Sequence, residues 1–283
     1  MVGLVESVMR EHREVTDELV PVIERINSGE TTTVEELGLD PEIVSPYNQR
    51  LFLLYAQIMK DAEPRYNDNP AFVHPARVAQ IISPYVEEGT AIGYALSHEL
   101  VEDVAHYRPV RFQNIREIIG PEHKDNLDAT VLLSRPHWTS FPTMEEISIS
   151  GYVTYVAKLW QVSTYGNDAH ASVLIGDALD SQLDIGFLDT RDPANRNNVI
   201  SRFIAQSLFL VQKLQGAVPN LVEHVEAISD EMKNDRAYVI NSNWIDYHLG
   251  RFYKALELFK TEPGLIVGVK NHLSTYGFEI LKS

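Results

Sequence analysis

One stretch of the chain sets a histidine and three carboxylates into an otherwise apolar run. Residues 91–104 have the pattern of an apolar helix that carries His98, Glu99, Glu102 and Asp103. In a helix of 3.6 residues per turn, positions i, i+1, i+4 and i+5 share one side. Three carboxylates at that range repel one another unless a cation lies among them or some are protonated. The cluster indicates a metal site, although a solvated acidic helix face is the alternative for such a run.

Two further segments carry the same kind of side chain in apolar surroundings. His74 follows an apolar segment and precedes the helix-like run 76–82. Asp177 lies within the apolar stretch 171–180. A single acid in such a stretch is more often a paired core carboxylate than a ligand, so Asp177 alone is a weak signal. The ordered set of His74, the 98–103 cluster and Asp177 is more specific, and it predicts that three segments meet around one cation.

The order and local context of these residues resemble the HD-domain phosphohydrolases, and among them the Rel/SpoT-type alarmone hydrolases. Residues 72–79 are similar to the string in which the family's first histidine precedes a proline. Residues 98–103 are similar to the family's His-Asp-x-x-Glu-Asp string. Three shorter segments, at 115–120, 133–135 and 174–177, match later elements of the family. The resemblance covers about residues 48–215 and implies an all-α HD-domain bundle with additional amino- and carboxyl-terminal helices.

The resemblance also implies a role for each residue. The ligands of one divalent ion, with manganese as the usual choice, would be His74, His98, Glu99 and Asp177. The residues acting on the attacking water would be Glu102 and Asp103. Arg65 occupies the place of the family's nucleotide-holding arginine, nine residues before the first histidine. Further candidates for substrate binding are Arg77, as a local positive charge, and Ser181, which stands where the family commonly has asparagine.

The implied activity is metal-dependent hydrolysis of a guanosine 3′,5′-bis-pyrophosphate alarmone, with release of pyrophosphate from the 3′ position. Departures from the family keep two alternatives open. Leu174 and Tyr66 replace family lysines, and with Ser181 they leave room for another nucleotide, such as a deoxynucleoside triphosphate or an adenine alarmone. Glu99 replaces the aspartate of the defining doublet, so a degenerate protein that binds a nucleotide or a protein partner is the second alternative.

The charge and cysteine content of the chain limit its possible binding partners. The chain has 24 basic and 40 acidic residues, a net charge of −16, which argues against a nucleic-acid or anionic membrane surface as the main partner. Positive charge must then gather locally, and the candidates are Lys60, Arg65, Arg77, Arg135 and Lys158. The chain has no cysteine, so the metal would be held by nitrogen and oxygen, and a cytoplasmic setting is favoured. We expect no secretion signal and no membrane span, and the sequence leaves the oligomeric state open.

Apolar residues recur at helical spacing in most segments, and alternating strand patterns are lacking, so the sequence predicts an all-helical fold. We divide the chain into an amino-terminal helical extension (1–47), an HD-type domain (48–215) and a carboxyl-terminal helical extension (216–283). Pro21 predicts a kink or a break in the first helix. Residues 135–150 are expected to form a long connector, and Asp192-Pro193 to open a helix that ends near residue 215.

Overall fold

The computed structural model describes residues 3–30, 46–64, 68–86, 89–136, 144–184, 193–234 and 242–279. Within these ranges the regular structure is entirely helical, which confirms the predicted all-α class. The α-helices are α1 (Leu4–Asn27), α2 (Pro46–Met59), α3 (Val73–Ile82), α4 (Gly89–Ser97), α5 (Pro109–Ile119), α6 (Lys124–Leu133), α7 (Met144–Tyr165), α8 (Asp168–Asp184), α9 (Pro193–Leu214), α10 (Pro219–Asn234), α11 (Ser242–Thr261) and α12 (Pro263–Thr275). No described helix has the length and apolar character needed to cross a bilayer.

Three mutually packed helices, α3, α4 and α8, form the centre of the molecule. All three are buried along most of their length, and their buried residues include the charged side chains described below as well as apolar ones. The approach of α8 to α3 is very close at Gly176. A methyl group at that position would lie 2.5 Å from Cγ2 of Ile82. The lack of a side chain at residue 176 therefore sets how near these two helices can come.

The remaining helices surround this centre. Helix α1 packs against α2, α3 and α10, while α9 lies between α8 and the pair α10 and α11. One continuous apolar core runs from Val5 in α1 to Tyr276 after α12. The terminal helices thus share the core of the middle segment. The proposed boundaries at 47 and 215 remain a prediction.

Two predicted helices and one predicted connector have counterparts in the structure. Helix α1 continues through Pro21 as one helix, because Leu19, Val22 and Ile23 on either side of the proline are buried in the core. Helix α7 begins at Met144, so the expected connector 135–150 is shorter than predicted, and residues 137–143 lie outside the described ranges. Helix α9 spans Pro193–Leu214, which confirms the predicted helix.

Candidate metal centre

Four side chains from three separated segments meet inside the bundle. They are His74, His98, Glu99 and Asp177, here called the quartet, and one donor atom of each lies within 4.8 Å of the others. Nε2 of His74 is 3.2 Å from Nε2 of His98 and 3.3 Å from Oδ1 of Asp177. Oε1 of Glu99 is 3.1 Å from Nε2 of His98. All four residues are buried, and together they form a group that could hold a metal ion.

The hydrogen bonds of the two imidazoles identify which nitrogen of each ring faces the centre. Nδ1 of His98 is 2.6 Å from the carbonyl oxygen of Ala95, and a carbonyl can only accept, so this Nδ1 carries the hydrogen. Nδ1 of His74 is 2.6 Å from Oδ2 of Asp180 and donates to that carboxylate. In the neutral rings both Nε2 lone pairs then point into the quartet. This arrangement is typical of metal-binding histidines.

Three of the four quartet residues lie at the ends of helices, whereas Asp177 lies within α8. His74 stands in the first turn of α3, where the following Pro75 is tolerated because a first-turn N–H has no partner within the helix. His98 and Glu99 lie just beyond the last residue of α4. The hydroxyl of Thr130 in α6 lies 2.8 Å from the carbonyl oxygen of Ser97 and 2.9 Å from that of Asn126, so the end of α4 contacts α6.

The predicted single helix over 91–104 is therefore interrupted. After His98 and Glu99 the backbone forms a π-helical turn over Leu100–Val104, with the amide of Ala105 bonded to the carbonyl of Leu100. π-Helical turns shift side chains around the axis and are frequent at functional sites. Their effect here is to separate Glu102 and Asp103 from His98 and Glu99, so the expected convergence of all four side chains on one point does not occur.

Glu102 is turned to a basic partner. Its Oε1 accepts from the backbone N–H of Arg135 at 2.6 Å, and its Oε2 accepts from Nε of the same arginine at 2.7 Å and from Nη2. Glu102 is buried, whereas the Arg135 side chain is half-exposed. Asp103 lines the cavity into which Glu99 and Asp177 open. Of the two predicted catalytic acids, Asp103 is therefore the one at the cavity surface.

Behind His74 lies a second group of charged side chains, here called the outer cluster: His12, Arg77, Asp180 and Asp184. Arg77 donates from Nε to Oδ1 of Asp180 at 2.8 Å and from Nη2 to Oδ2 at 2.9 Å. The same Nη2 lies 3.1 Å from Asp184. Arg77 was predicted to contact substrate, but it is 3% exposed and is held by these two carboxylates on the far side of His74.

Lys158 of α7 neutralises one quartet ligand. Its Nζ is 3.0 Å from Oδ2 of Asp177. Burial alone would lower the pKa of Lys158, but the nearby carboxylates, first Asp177, outweigh it and raise that pKa, so the ammonium is charged. Burial would likewise raise the pKa of Asp177, and Lys158 with the two imidazoles instead holds it well below its usual range. Asp177 is thus ionised at neutral pH.

A cavity of about 640 Å³ opens onto the quartet. Its wall carries Ser181, as predicted for a substrate-facing residue, together with the cations Arg135, Lys158 and Arg202. The predicted Arg65 lies outside the described ranges, although Pro64 and Asp68 on either side of that gap line the cavity. The volume suits a ligand of nucleotide size.

The distribution of buried charge supports a cation in the quartet. Every buried aspartate, glutamate, lysine and arginine of the described residues belongs to this one region: Arg77, Glu99, Glu102, Lys158, Asp177, Asp180 and Asp184. Glu102 is compensated by Arg135. The other acids, four carboxylates, face only two bases, which leaves two negative charges when the histidines are neutral. A divalent ion balances that charge, and the nitrogen and oxygen donors fit such an ion.

Sequence reasoning missed His12, Asp180, Asp184 and Arg202. A signal was present for two of them, because Asp177, Asp180 and Asp184 follow one another at helical spacings of three and four residues on α8. No pattern linked His12 to a site formed by residues more than 60 positions away. No protein-family model, curated protein or solved structure significantly matches this chain.

Proposed function

We propose that the quartet binds one divalent cation, with manganese as the expected ion, and that the protein is an HD-type phosphohydrolase. The expected substrate is a guanosine 3′,5′-bis-pyrophosphate alarmone, which would lose pyrophosphate from its 3′ position. One observation carries the metal part of the proposal. Two imidazole nitrogens, both with lone pairs directed at the same point, stand 3.2 Å apart. Lone pairs repel at that distance, and a shared cation removes the repulsion.

A divalent ion bound there would supply Lewis-acid activation of water and of a phosphoryl oxygen. The protein supplies the remaining functions. Asp103, which lines the same cavity as Glu99, would take a proton from the attacking water. Glu102 cannot share that role while both of its oxygens accept from Arg135. We assign Glu102 to holding Arg135 at the cavity wall.

The cavity wall carries charges of both signs. Its three cations, Arg135, Lys158 and Arg202, stand among five carboxylates, Glu63, Asp68, Glu99, Asp103 and Asp177, so a divalent ion at Glu99 and Asp177 would be needed for the cavity to suit an anionic substrate. Tyr155 lines the same wall; it is 6% exposed, and its hydroxyl faces the side chain of Gln206, which lines the cavity too.

The nucleobase of the substrate is a separate question from the reaction. Leu174, which stands where the resembling family has a lysine, is fully buried in the core of α8. The lysine that reaches Asp177 comes instead from α7, as Lys158. This different placement of positive charge favours testing other nucleotides beside the guanosine alarmone. A protein that binds nucleotide without turnover is the remaining alternative.

The test is metal analysis followed by a nucleotide panel. Protein stripped with a chelator and reloaded with Mn²⁺ is incubated with guanosine 3′,5′-bis-pyrophosphate, its adenosine counterpart, dGTP and dATP. Pyrophosphate released from the guanosine alarmone supports the full proposal. Hydrolysis confined to another nucleotide keeps the phosphohydrolase and replaces the substrate. Binding without hydrolysis of any compound would leave a binding protein, and absence of stoichiometric metal would remove the proposal altogether.

Asp103→Asn sharpens this test. The change keeps the shape of the side chain but removes the proton acceptor, so turnover should fall by about 10² to 10⁴ while the metal content stays at the wild-type value. Asp125→Asn, an exposed aspartate on α6, is the matched control and should behave as the wild type. Equal turnover in the Asp103 and Asp125 variants would show that another group accepts the proton.

A further inference from the structure

We propose that His12 and Asp180 are positioning residues that couple the amino-terminal helix α1 to the metal centre. Asp180 is fully buried and accepts four hydrogen bonds. Two come from Arg77, one from Nδ1 of His74 at 2.6 Å, and one from Nε2 of His12 at 2.9 Å. Each carboxylate oxygen accepts two of them. The inference rests on the metal-binding part of the proposed function and is independent of the substrate.

Asp180 determines which way His74 faces. An imidazole that donates from Nδ1 to a fixed carboxylate cannot rotate without breaking that bond, and its Nε2 stays unprotonated and directed at the quartet. His98 is oriented by the carbonyl of Ala95, three residues earlier in the chain, whereas Nδ1 of His74 bonds to the side chain of Asp180. The orientation of His74 therefore depends on a side chain from another helix.

Helix α1 fixes Asp180 in turn. His12 is 5% exposed and reaches across 168 positions of sequence to Oδ1 of Asp180. From the next turn of α1, the hydroxyl of Thr16 accepts from Nη1 of Arg77 at 3.2 Å. Two residues of α1 thus contact Asp180, which holds His74, and Arg77, which holds Asp180. His12 is the one polar side chain among the buried residues of α1, and a polar group is buried at a cost unless it is hydrogen-bonded.

The coupling must act in both directions. If docked α1 improves the geometry and the electrostatics of the quartet, then an ion in the quartet stabilises docked α1 by the same free energy. Metal binding should accordingly protect the backbone amides of α1 from hydrogen exchange, even though none of the quartet residues lies on α1. Weakening either bond to Asp180 should reduce both the affinity for metal and this protection.

The experiment uses the full chain and Mn²⁺ as the probe. His12→Phe keeps the bulk of the ring and removes the N–H donor, while His12→Gln restores a donor of similar reach. Isothermal titration should show Mn²⁺ binding about 10- to 100-fold weaker for His12→Phe and Asp180→Asn, the range typical of residues that orient a metal ligand. His12→Gln should recover most of the affinity. In hydrogen-exchange mass spectrometry, Mn²⁺ should protect α1 in the wild type and in His12→Gln only.

The control is Glu14→Gln, an exposed change on α1 that should leave affinity and protection unchanged. Wild-type affinity in His12→Phe, or loss of affinity in His12→Gln equal to that in His12→Phe, would overturn the coupling while leaving the metal site intact. Absence of Mn²⁺ binding by the wild type would instead remove the metal site itself. If Asp180→Asn does not fold, the two His12 variants decide the question between them.

Discussion

The quartet has two halves that are built in different ways. His98 and Glu99 are adjacent in sequence, and His98 is oriented by a carbonyl three residues earlier in the chain. His74 and Asp177 come from helices more than 100 positions apart, and His74 is oriented by the Asp180 side chain. The first half can form as soon as α4 and the turn after it are in place. The second half requires α3 and α8 to pack together, and α1 contacts it through the bond from His12 to Asp180.

This difference shows where the site can be damaged. The local half has a backbone acceptor that no substitution can remove, so its sensitive elements are the ligands themselves. The remote half depends on a chain of side chains, so changes well outside the quartet reach it. The two halves meet at the 3.2 Å contact between the imidazoles. Variants on each side can therefore be compared by one measurement, the affinity for metal.

The largest effect is expected when a ligand is removed from either half. His98→Ala and Asp177→Ala should each weaken Mn²⁺ binding by at least about 100-fold, beyond the range for residues that only orient a ligand. Elemental analysis of the purified proteins and titration of the stripped proteins measure the change. His224→Ala, on α10 outside the quartet, is the control. A stoichiometric ion retained by either ligand variant would exclude that half from the site.

A smaller effect is expected where the local half borders the cavity. Arg135→Ala leaves the buried carboxylate of Glu102 without its basic partner, and we expect a loss of about 1–3 kcal/mol in the free energy of unfolding. Chemical denaturation of the metal-free proteins measures it. The double variant Arg135→Ala with Glu102→Gln should recover part of the loss, since the buried charge is gone. No recovery would mean that Glu102 does not depend on Arg135.

An effect of similar or smaller size concerns a histidine of α8 outside the quartet. His170, on α8, is buried against Tyr94, and burial lowers its pKa to about 4. Its folded-state pKa lies below the unfolded value of about 6.5, so its protonation favours unfolding as the pH falls from 6.5 to 4. The contribution is about 3 kcal/mol or less, fully lost below pH 4. His170→Phe should flatten the pH dependence of metal-free stability over that window, and an unchanged slope would contradict this.

The local half of the site could be predicted from sequence because its signal is local. A histidine and acids in an apolar run are visible without knowing the fold, and so is the all-helical class. The interruption after Ser97 could not be seen, because nothing in residues 91–104 marks it and the contact at the end of α4 comes from Thr130 of α6. For this reason the prediction grouped Glu102 with His98, although the structure turns Glu102 towards Arg135.

The remote half was only partly predictable. Asp177 was identified through its place in an ordered set of residues, and its spacing to Asp180 on one helix was available but unused. Arg77 was expected near the substrate because it is a cation close to His74, and the sequence does not show on which side of the histidine it lies. His12 carries no local signal at all. The contact exists because α1 packs against α3, and only the fold brings these helices together.

Gly176 precedes the ligand Asp177 and faces α3, the helix that carries His74. The distance between α3 and α8 thus depends on the hydrogen atom of Gly176, since every other amino acid has a Cβ atom at that place. A methyl group at this point would force α8 away from α3, and the donor atoms that these two helices carry would then move apart. The distance between His74 and Asp177 therefore depends on glycine at position 176.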